Sequence, residues 1–502
     1  MKKKKIFAGI VIVDCVLLIA VVVLLIRFVS IKKNNAAANV GTESIAAENV
    51  PGESVEVTSA GDSVVEEAQQ TPSREKTDSK PVEEGVPIEF TSSTAQSRDG
   101  DWLFACGNQI VDREGKPVWL TGVNWFGYNT GTNTFDGLWN SDLNTSVKAI
   151  ADHGFNIVRI PISSELLLQW KKGEYPSANF NQATNSYLVG MNSLEIFDYV
   201  LSLFEENGIK VILDAHCAKT DASGHNINLW VNGDITEEKY IEAWVWAAER
   251  YANNDTIVAF DLENEPHGKP FEQEKAIWNG SASDNNWPYI ATKTAAAIFA
   301  VNPNVLILVE GTEIYPVDIV ANGDYHSTDE KDYYFSWWGG NLRGVKDYPV
   351  DLGEFSNKLV YSPHDYGPTV FEQPWFHSGY DYDSLMEECW EDNWFYIYEE
   401  EIAPLLIGEW GGFMREPNLT WMTHLRTLIK NYHLNYTFWC FNANSGDTGG
   451  LVLDDFTTWD EEKYAFVKEV LWQQNGKFVG LDHEVPLGVN GITLSDAYVE
   501  NW

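Results

Sequence analysis

The sequence predicts an α/β protein, a (β/α)8 TIM barrel, and three observations carry that expectation. Eight short apolar segments recur along the chain, helical patterns separate most of them, and polar residues gather where the segments end. The strand candidates fall at 120–123, 156–161, 210–214, 258–262, 305–310, 359–363, 405–409 and 436–439. Helical stretches read at 145–153, 193–207, 237–251, 289–301, 382–401, 419–432 and 460–472. The fifth crossover departs from this pattern, because 311–344 reads as a long aromatic loop.

Ahead of the barrel the composition changes twice. Lys2 to Lys5 precede an apolar run from Ile6 to Ile26, 21 residues long. At about 1.5 Å per residue that run crosses a hydrocarbon core of roughly 30 Å. A cleaved signal peptide has a shorter apolar region with small residues close behind it. Here Arg27, Lys32 and Lys33 come first and Ala36 to Ala38 come late, so an uncleaved transmembrane anchor is expected. Asp14 inside the run costs on the order of 2–3 kcal/mol near a bilayer centre. No Trp, Tyr or Phe occurs between Phe28 and Phe90, and such a stretch buries too little apolar area to offset its ordering entropy. The expected organisation is therefore a membrane anchor or signal segment at 1–33, a disordered acidic linker at 34–95, a (β/α)8 barrel domain at 96–480 and a tail at 481–502. The expected location is the cell surface, with the barrel outside, or the medium if the first segment is cleaved.

A formal net charge of −40 without a basic stripe excludes nucleic acid as a partner and is compatible with a neutral substrate. The chain carries 21 Trp, 22 Tyr and 24 Phe, more indole than a core requires, and indole faces serve as flat binding platforms. Cys15 lies in the apolar run, while Cys106, Cys217, Cys389 and Cys440 are scattered. No C-x-x-C pair and no zinc-ligand spacing occurs, and disulfide pairing stays open. Neither a metal nor a cofactor is expected, and the protein is expected to be a monomer.

In a barrel of this kind the chemistry belongs at the C-terminal strand ends. Those ends read, in order, Arg159, His216, Asn264 with Glu265, His364 with Tyr366, Glu409, and Trp439. Glu265 and Glu409 close strands four and seven, which face each other across the barrel mouth. Two carboxyl groups about 5–5.5 Å apart define a glycosidase that retains configuration, one group acting as nucleophile and the other as acid/base.

Several segments then resemble one family. They are Gly122-Val123-Asn124-Trp125-Phe126-Gly127, Val158-Arg159-Ile160-Pro161, Leu213-Asp214-Ala215-His216, Asn264-Glu265-Pro266-His267, Trp337-Trp338-Gly339-Gly340-Asn341-Leu342, His364-Asp365-Tyr366, Gly408-Glu409 and Ser445-Gly446-Asp447-Thr448-Gly449-Gly450. As an ordered set they are similar to glycoside hydrolase family 5. Asn-Glu-Pro alone is only moderately specific.

The resemblance implies a retaining endo-β-1,4-glucanase acting on a β-glucan polysaccharide. It makes Glu265 the proton donor and later the base, with a raised pKa, since a neutral Asn precedes it. It makes Glu409 the nucleophile, oriented by Arg159 and by a hydrogen bond from Tyr366. Asn264 would bind the sugar 2-hydroxyl, and His216 and His364 would bind hydroxyls or support the carboxylates. Trp439 would lie under the sugar at the cleavage site, with Trp139 and Trp338 along the cleft. Trp125, Trp230, Trp337 and Trp375 are weaker cleft candidates, for which core packing is the alternative. Two departures from the family pattern stand out, a long 312–336 segment and the stretch 217–223. The same chemistry on mannan, glucomannan, xyloglucan or mixed-linkage glucan remains open, as does a catalytically dead glycan-binding barrel.

Overall fold

All eight apolar segments become parallel strands in the computed structural model, which describes residues 88, 90, 92, 95–97 and 99–499. The strands are β1 (Thr121–Asn124), β2 (Ile157–Ser163), β3 (Lys210–Cys217), β4 (Ile257–Asp261), β5 (Leu306–Val309), β6 (Leu359–Tyr361), β7 (Leu406–Ile407) and β8 (Asn435–Phe438). They pair in the order β6-β5-β4-β3-β2-β1-β8-β7. Parallel bridges between Tyr361 and Leu405 and between His364 and Glu409 join the two outer strands. The sheet has no free edge, as a barrel requires.

Side-chain alternation along the strands separates two cores. On β5, Ile307 and Val309 join the large cluster under the surrounding helices, while Leu306 and Leu308 join a smaller one. That smaller cluster also holds Ile157, Ile212, Val360 and Leu406 from other strands, together with Leu103 and Ile110. It is the barrel interior and its floor. Two residues further along the same faces the interior turns polar, with Arg159 after Ile157, Asp214 after Ile212 and Glu310 after Leu308. Each of these three is fully buried.

Helices follow the expected periodicity at Leu143–Asp152, Ser193–Glu206, Glu237–Arg250, Trp287–Phe299, Asn418–Tyr432 and Glu461–Lys468. The stretch 382–399 is helical throughout but widens to a π-helix at Met386–Phe395. Ser164–Lys171 forms a helix that periodicity did not single out, capped by the Ser163 hydroxyl. The fifth crossover contains only short helical turns and a hairpin, Ile314–Pro316 with Tyr333–Phe335. Its Tyr325 and Tyr333 pack with Ile277 and Ile314 in a small cluster of their own.

At the opposite end from the strand C-termini, residues after 472 cover the barrel floor. Leu481 and Leu494 enter the interior cluster. Lys210, at the start of β3, pairs with Asp101 at 2.7 Å and Asp482 at 2.9 Å. His483 contacts Asp101 at 2.5 Å and Asp112 at 3.3 Å. These charges tie the segment before the barrel to the segment after it. Cys106, Cys217, Cys389 and Cys440 are all free. Among the described residues no helix is long and apolar enough to cross a membrane. The anchor expected at 1–33 and nearly all of the linker expected at 34–95 lie outside the described residues.

Candidate active site

Arg159 organises the mouth of the barrel. Its guanidinium is fully buried and reaches six acceptors on five strand ends. Nε donates to Asp261 at 2.9 Å, and Nη1 donates to Glu409 at 2.9 Å and Asn124 at 3.1 Å. Nη2 donates to Glu310 at 3.0 Å and Asn264 at 3.1 Å and lies 3.1 Å from Asp214. The planar fork of arginine, with five N–H groups, suits such a convergence, whereas the three donors of lysine would not.

The two glutamates expected to face each other do so. A carboxyl oxygen of Glu265, a nitrogen of His364 and a carboxyl oxygen of Glu409 lie within 4.8 Å of one another. Glu409 Oε1 accepts from Arg159, and its Oε2 accepts from the Tyr366 hydroxyl at 2.5 Å. Glu265 Oε1 contacts His364 Nδ1 at 3.0 Å, and the same imidazole lies 3.2 Å from Glu310 Oε1 through Nε2. Gly408 makes room for this ring, since a Cβ there would meet His364 Nε2 at 2.7 Å. Tyr366 is held by its neighbour: Asp365 is fully buried and accepts the indole N–H groups of Trp390 and Trp421, each at 2.8 Å.

The charges form one coupled set in which five carboxyl groups face two cations. Burial raises Asp214 to about 7 and Asp261 to about 6 against the pull of Arg159. It also drives Glu310 well above the carboxylate range, against His364. His364 itself is held well above the ordinary imidazole range. Burial pulls it down, but the charges of Glu310 and Glu409 and its contact with Glu265 prevail.

Glu265 departs from expectation. Burial raises its carboxyl, but the hydrogen bond and charge of His364 outweigh that and leave it below the ordinary range. The neutral Asn264 beside it in sequence is not its electrostatic neighbour; the imidazole from β6 is. His216 is neutral, lowered to about 3 by burial, and its Nδ1 lies 2.8 Å from Asp214.

The aromatic candidates divide. Trp439 is half-buried, with the rings of Phe126 and His216 nearly parallel to it at 5.5 and 5.7 Å, and its Nε1 donates to Ser445 at 3.1 Å. Trp338 stacks on His267 at 3.7 Å, and Trp139 is 61% exposed after β1. Trp125, Trp230, Trp337 and Trp375 are buried in the main core. The long fifth crossover likewise turns most of its tyrosines inward, leaving Tyr334 exposed.

Sequence reasoning passed over Asn124, Asp214, Asp261 and Glu310, although each ends an apolar strand and so carried the same signal as Arg159. The side-chain ligand atoms of Asp261, Glu310 and His364 also cluster within 4.8 Å, as a metal site would. Arg159 already supplies the positive charge beside Asp261 and Glu310, so that trio has its cation.

Comparison with known proteins agrees with this geometry. The family model for cellulase (glycosyl hydrolase family 5) matches residues 111–445. Endoglucanase B of Acetivibrio thermocellus is 47% identical over 431 residues, covering 79% of this chain and 77% of that protein. An endoglucanase of Paenibacillus polymyxa is 38% identical over 368 residues, covering 73% of this chain and 86% of its own. The solved hyperthermophilic endocellulase of the archaeon Pyrococcus horikoshii has a TM-score of 0.66 at 32% identity, over 75% of this chain and all of that one. With such relatives and a barrel mouth built around paired glutamates, the chain belongs to the cellulase family, glycosyl hydrolase family 5, and is a glycoside hydrolase.

Proposed function

We propose that the protein is a retaining endo-β-1,4-glucanase whose nucleophile is Glu409 and whose acid/base is Glu265. The observation that carries the reading is the spacing of the two carboxyl groups, with oxygens within 4.8 Å. Inverting enzymes hold theirs roughly 6.5–9.5 Å apart to admit a water.

In the first step an oxygen of Glu409 bonds to the anomeric carbon as the glycosidic C–O bond breaks. Glu265 gives its proton to the departing oxygen. In the second step water bonds to the same carbon, its proton passes to Glu265, and the ester bond to Glu409 breaks. Arg159 and Tyr366 hold one oxygen each of Glu409, so attack comes from a fixed direction. Glu265 and His364 share a contact of 3.0 Å, across which the proton stored on the imidazole reaches the carboxyl. Asn264 commits its Oδ1 to Arg159, and its amide nitrogen is the group offered to the 2-hydroxyl. Trp439 is the platform under the sugar, and Trp139 and Trp338 extend the cleft. His216 binds a hydroxyl as a neutral ring. The protein acts as a monomer on a β-glucan chain.

The test is proton NMR of the first products from a β-1,4-glucan, recorded before mutarotation. The β-anomer appears first under this reading, and an initial α-anomer would overturn it. Viscosity should fall faster than reducing ends accumulate on carboxymethylcellulose. Weaker activity there than on mannan or lichenan would reassign the substrate.

Residues 1–33 anchor the enzyme at the cell surface in this reading, supported by Lys2 to Lys5 and the run Ile6 to Ile26. The stretch 34–95 is the tether, 96–480 the catalytic domain and 481–502 the tail. Full-length protein should fractionate with membranes; mature protein starting near Asn39 in the medium would show cleavage instead.

A further inference from the structure

Glu310 ends β5, touches neither Glu409 nor the open cleft, and is fully buried. It is nevertheless wired to the group proposed as acid/base from two directions. Its Oε2 accepts the backbone N–H of Glu265 at 2.7 Å, and its Oε1 lies 3.2 Å from the Nε2 of His364, whose Nδ1 contacts the Glu265 carboxyl. Oε1 also accepts from Arg159 at 3.0 Å, which in turn holds Glu409.

The backbone of Glu265 needs such a hold. Its φ is +54°, a left-handed conformation that non-glycine residues rarely adopt and that surrounding contacts must enforce. The protein also builds space for the Glu310 carboxyl. Gly339 has a φ of +71°, its carbonyl accepts from Gly311 at 2.7 Å, and a Cβ on it would stand 2.4 Å from Glu310 Oε2. From the other side, the Trp287 indole donates to the Glu310 carbonyl at 2.9 Å.

We infer that Glu310 is a positioning residue for the acid/base: it clamps the Glu265 peptide and the His364 ring together, so that the Glu265 carboxyl points at the departing oxygen. The inference rests on the assignment of Glu265 made above. Both oxygens of Glu310 meet donors, the Glu265 N–H on one and Arg159 and His364 on the other, so the place is built for a group with two acceptor oxygens. Glutamine has one acceptor and one donor, so it can serve the Glu265 N–H or the Arg159 and His364 side, never both.

The test compares two substrates on the full-length enzyme. One is a cello-oligosaccharide, whose sugar leaving group needs a proton. The other is a dinitrophenyl β-cellobioside, whose leaving group does not. Glu310→Gln should lower kcat/KM on the oligosaccharide at least 10-fold with little change in KM, and on the aryl glycoside less than 3-fold. Gly339→Ala pushes on the same carboxyl without changing its charge and should give the same leaving-group signature. Circular dichroism and thermal melting check that both variants fold.

A purely structural role would reduce both substrates alike, and that outcome, or no loss on either, would overturn the inference. Glu265→Ala serves as the reference. If it depends on the leaving group and Glu310→Gln does not, the positioning role alone fails. If Glu265→Ala itself shows no dependence, the assignment of Glu265 fails and this inference with it.

Discussion

Arg159→Lys keeps the positive charge at the barrel mouth but removes the fork. The guanidinium donates hydrogen bonds to five acceptors, on Asn124, Asp261, Asn264, Glu310 and Glu409, and lies against the charge of Asp214. A lysine ammonium has three donors on one atom, so at least two of the five hydrogen-bonded acceptors lose their partner. Each buried acceptor left alone costs about 1–3 kcal/mol. The carboxyls recover part of that by taking up protons, which leaves an expected loss of about 3–5 kcal/mol, typical for a broken buried ion pair.

The proton uptake makes the loss depend on pH. Asp214 and Asp261 are already raised, to about 7 and about 6, with Arg159 in place. A carboxyl raised on folding contributes stability that is complete below its unfolded pKa and disappears as pH climbs through the folded one. Without the fork both folded values climb further, so the variant falls further behind the wild type between pH 5 and pH 8. Equilibrium unfolding in denaturant, followed by tryptophan fluorescence at both pH values, measures this. A loss below about 1 kcal/mol at pH 8, or a gap that narrows from pH 5 to pH 8, would refute the account of Arg159 as the hub.

Glu409→Gln should lower turnover by about four orders of magnitude or more, some 5.5 kcal/mol of barrier, while calorimetry still detects oligosaccharide binding. A variant keeping a tenth of the wild-type rate would end the nucleophile assignment. His483 is raised to about 9, first by its hydrogen bond to Asp101, so its contribution is complete below about pH 6.5 and lost through pH 9. His483→Gln should therefore cost about 1 kcal/mol at pH 6, after discounting for solvent screening, and thermal melts of variant and wild type should converge by pH 10. Trp139→Ala removes an exposed ring and should leave stability within about 0.5 kcal/mol, while raising KM about 2- to 10-fold for long cello-oligosaccharides. An unchanged KM would take Trp139 out of the cleft.

The barrel was legible in the sequence because its strands and helices are local patterns. Each strand core is a run of apolar residues, each helix has its own period, and both survive without knowledge of any partner. Glu265 and Glu409 were legible for a related reason, since each ends such a run. Asn124, Asp214, Asp261 and Glu310 end their strands in the same way and were passed over.

Tertiary structure alone decided which strand ends touch. Arg159 lies 250 residues from Glu409 and 151 from Glu310, yet bonds to both, because barrel closure brings every interior row to one axis. The same closure reversed the expectation for Glu265. Sequence places a neutral Asn264 beside it, whereas the fold sets His364 against its carboxyl at 3.0 Å. Electrostatic neighbours in a barrel come from other strands, across distances along the chain that no local pattern records.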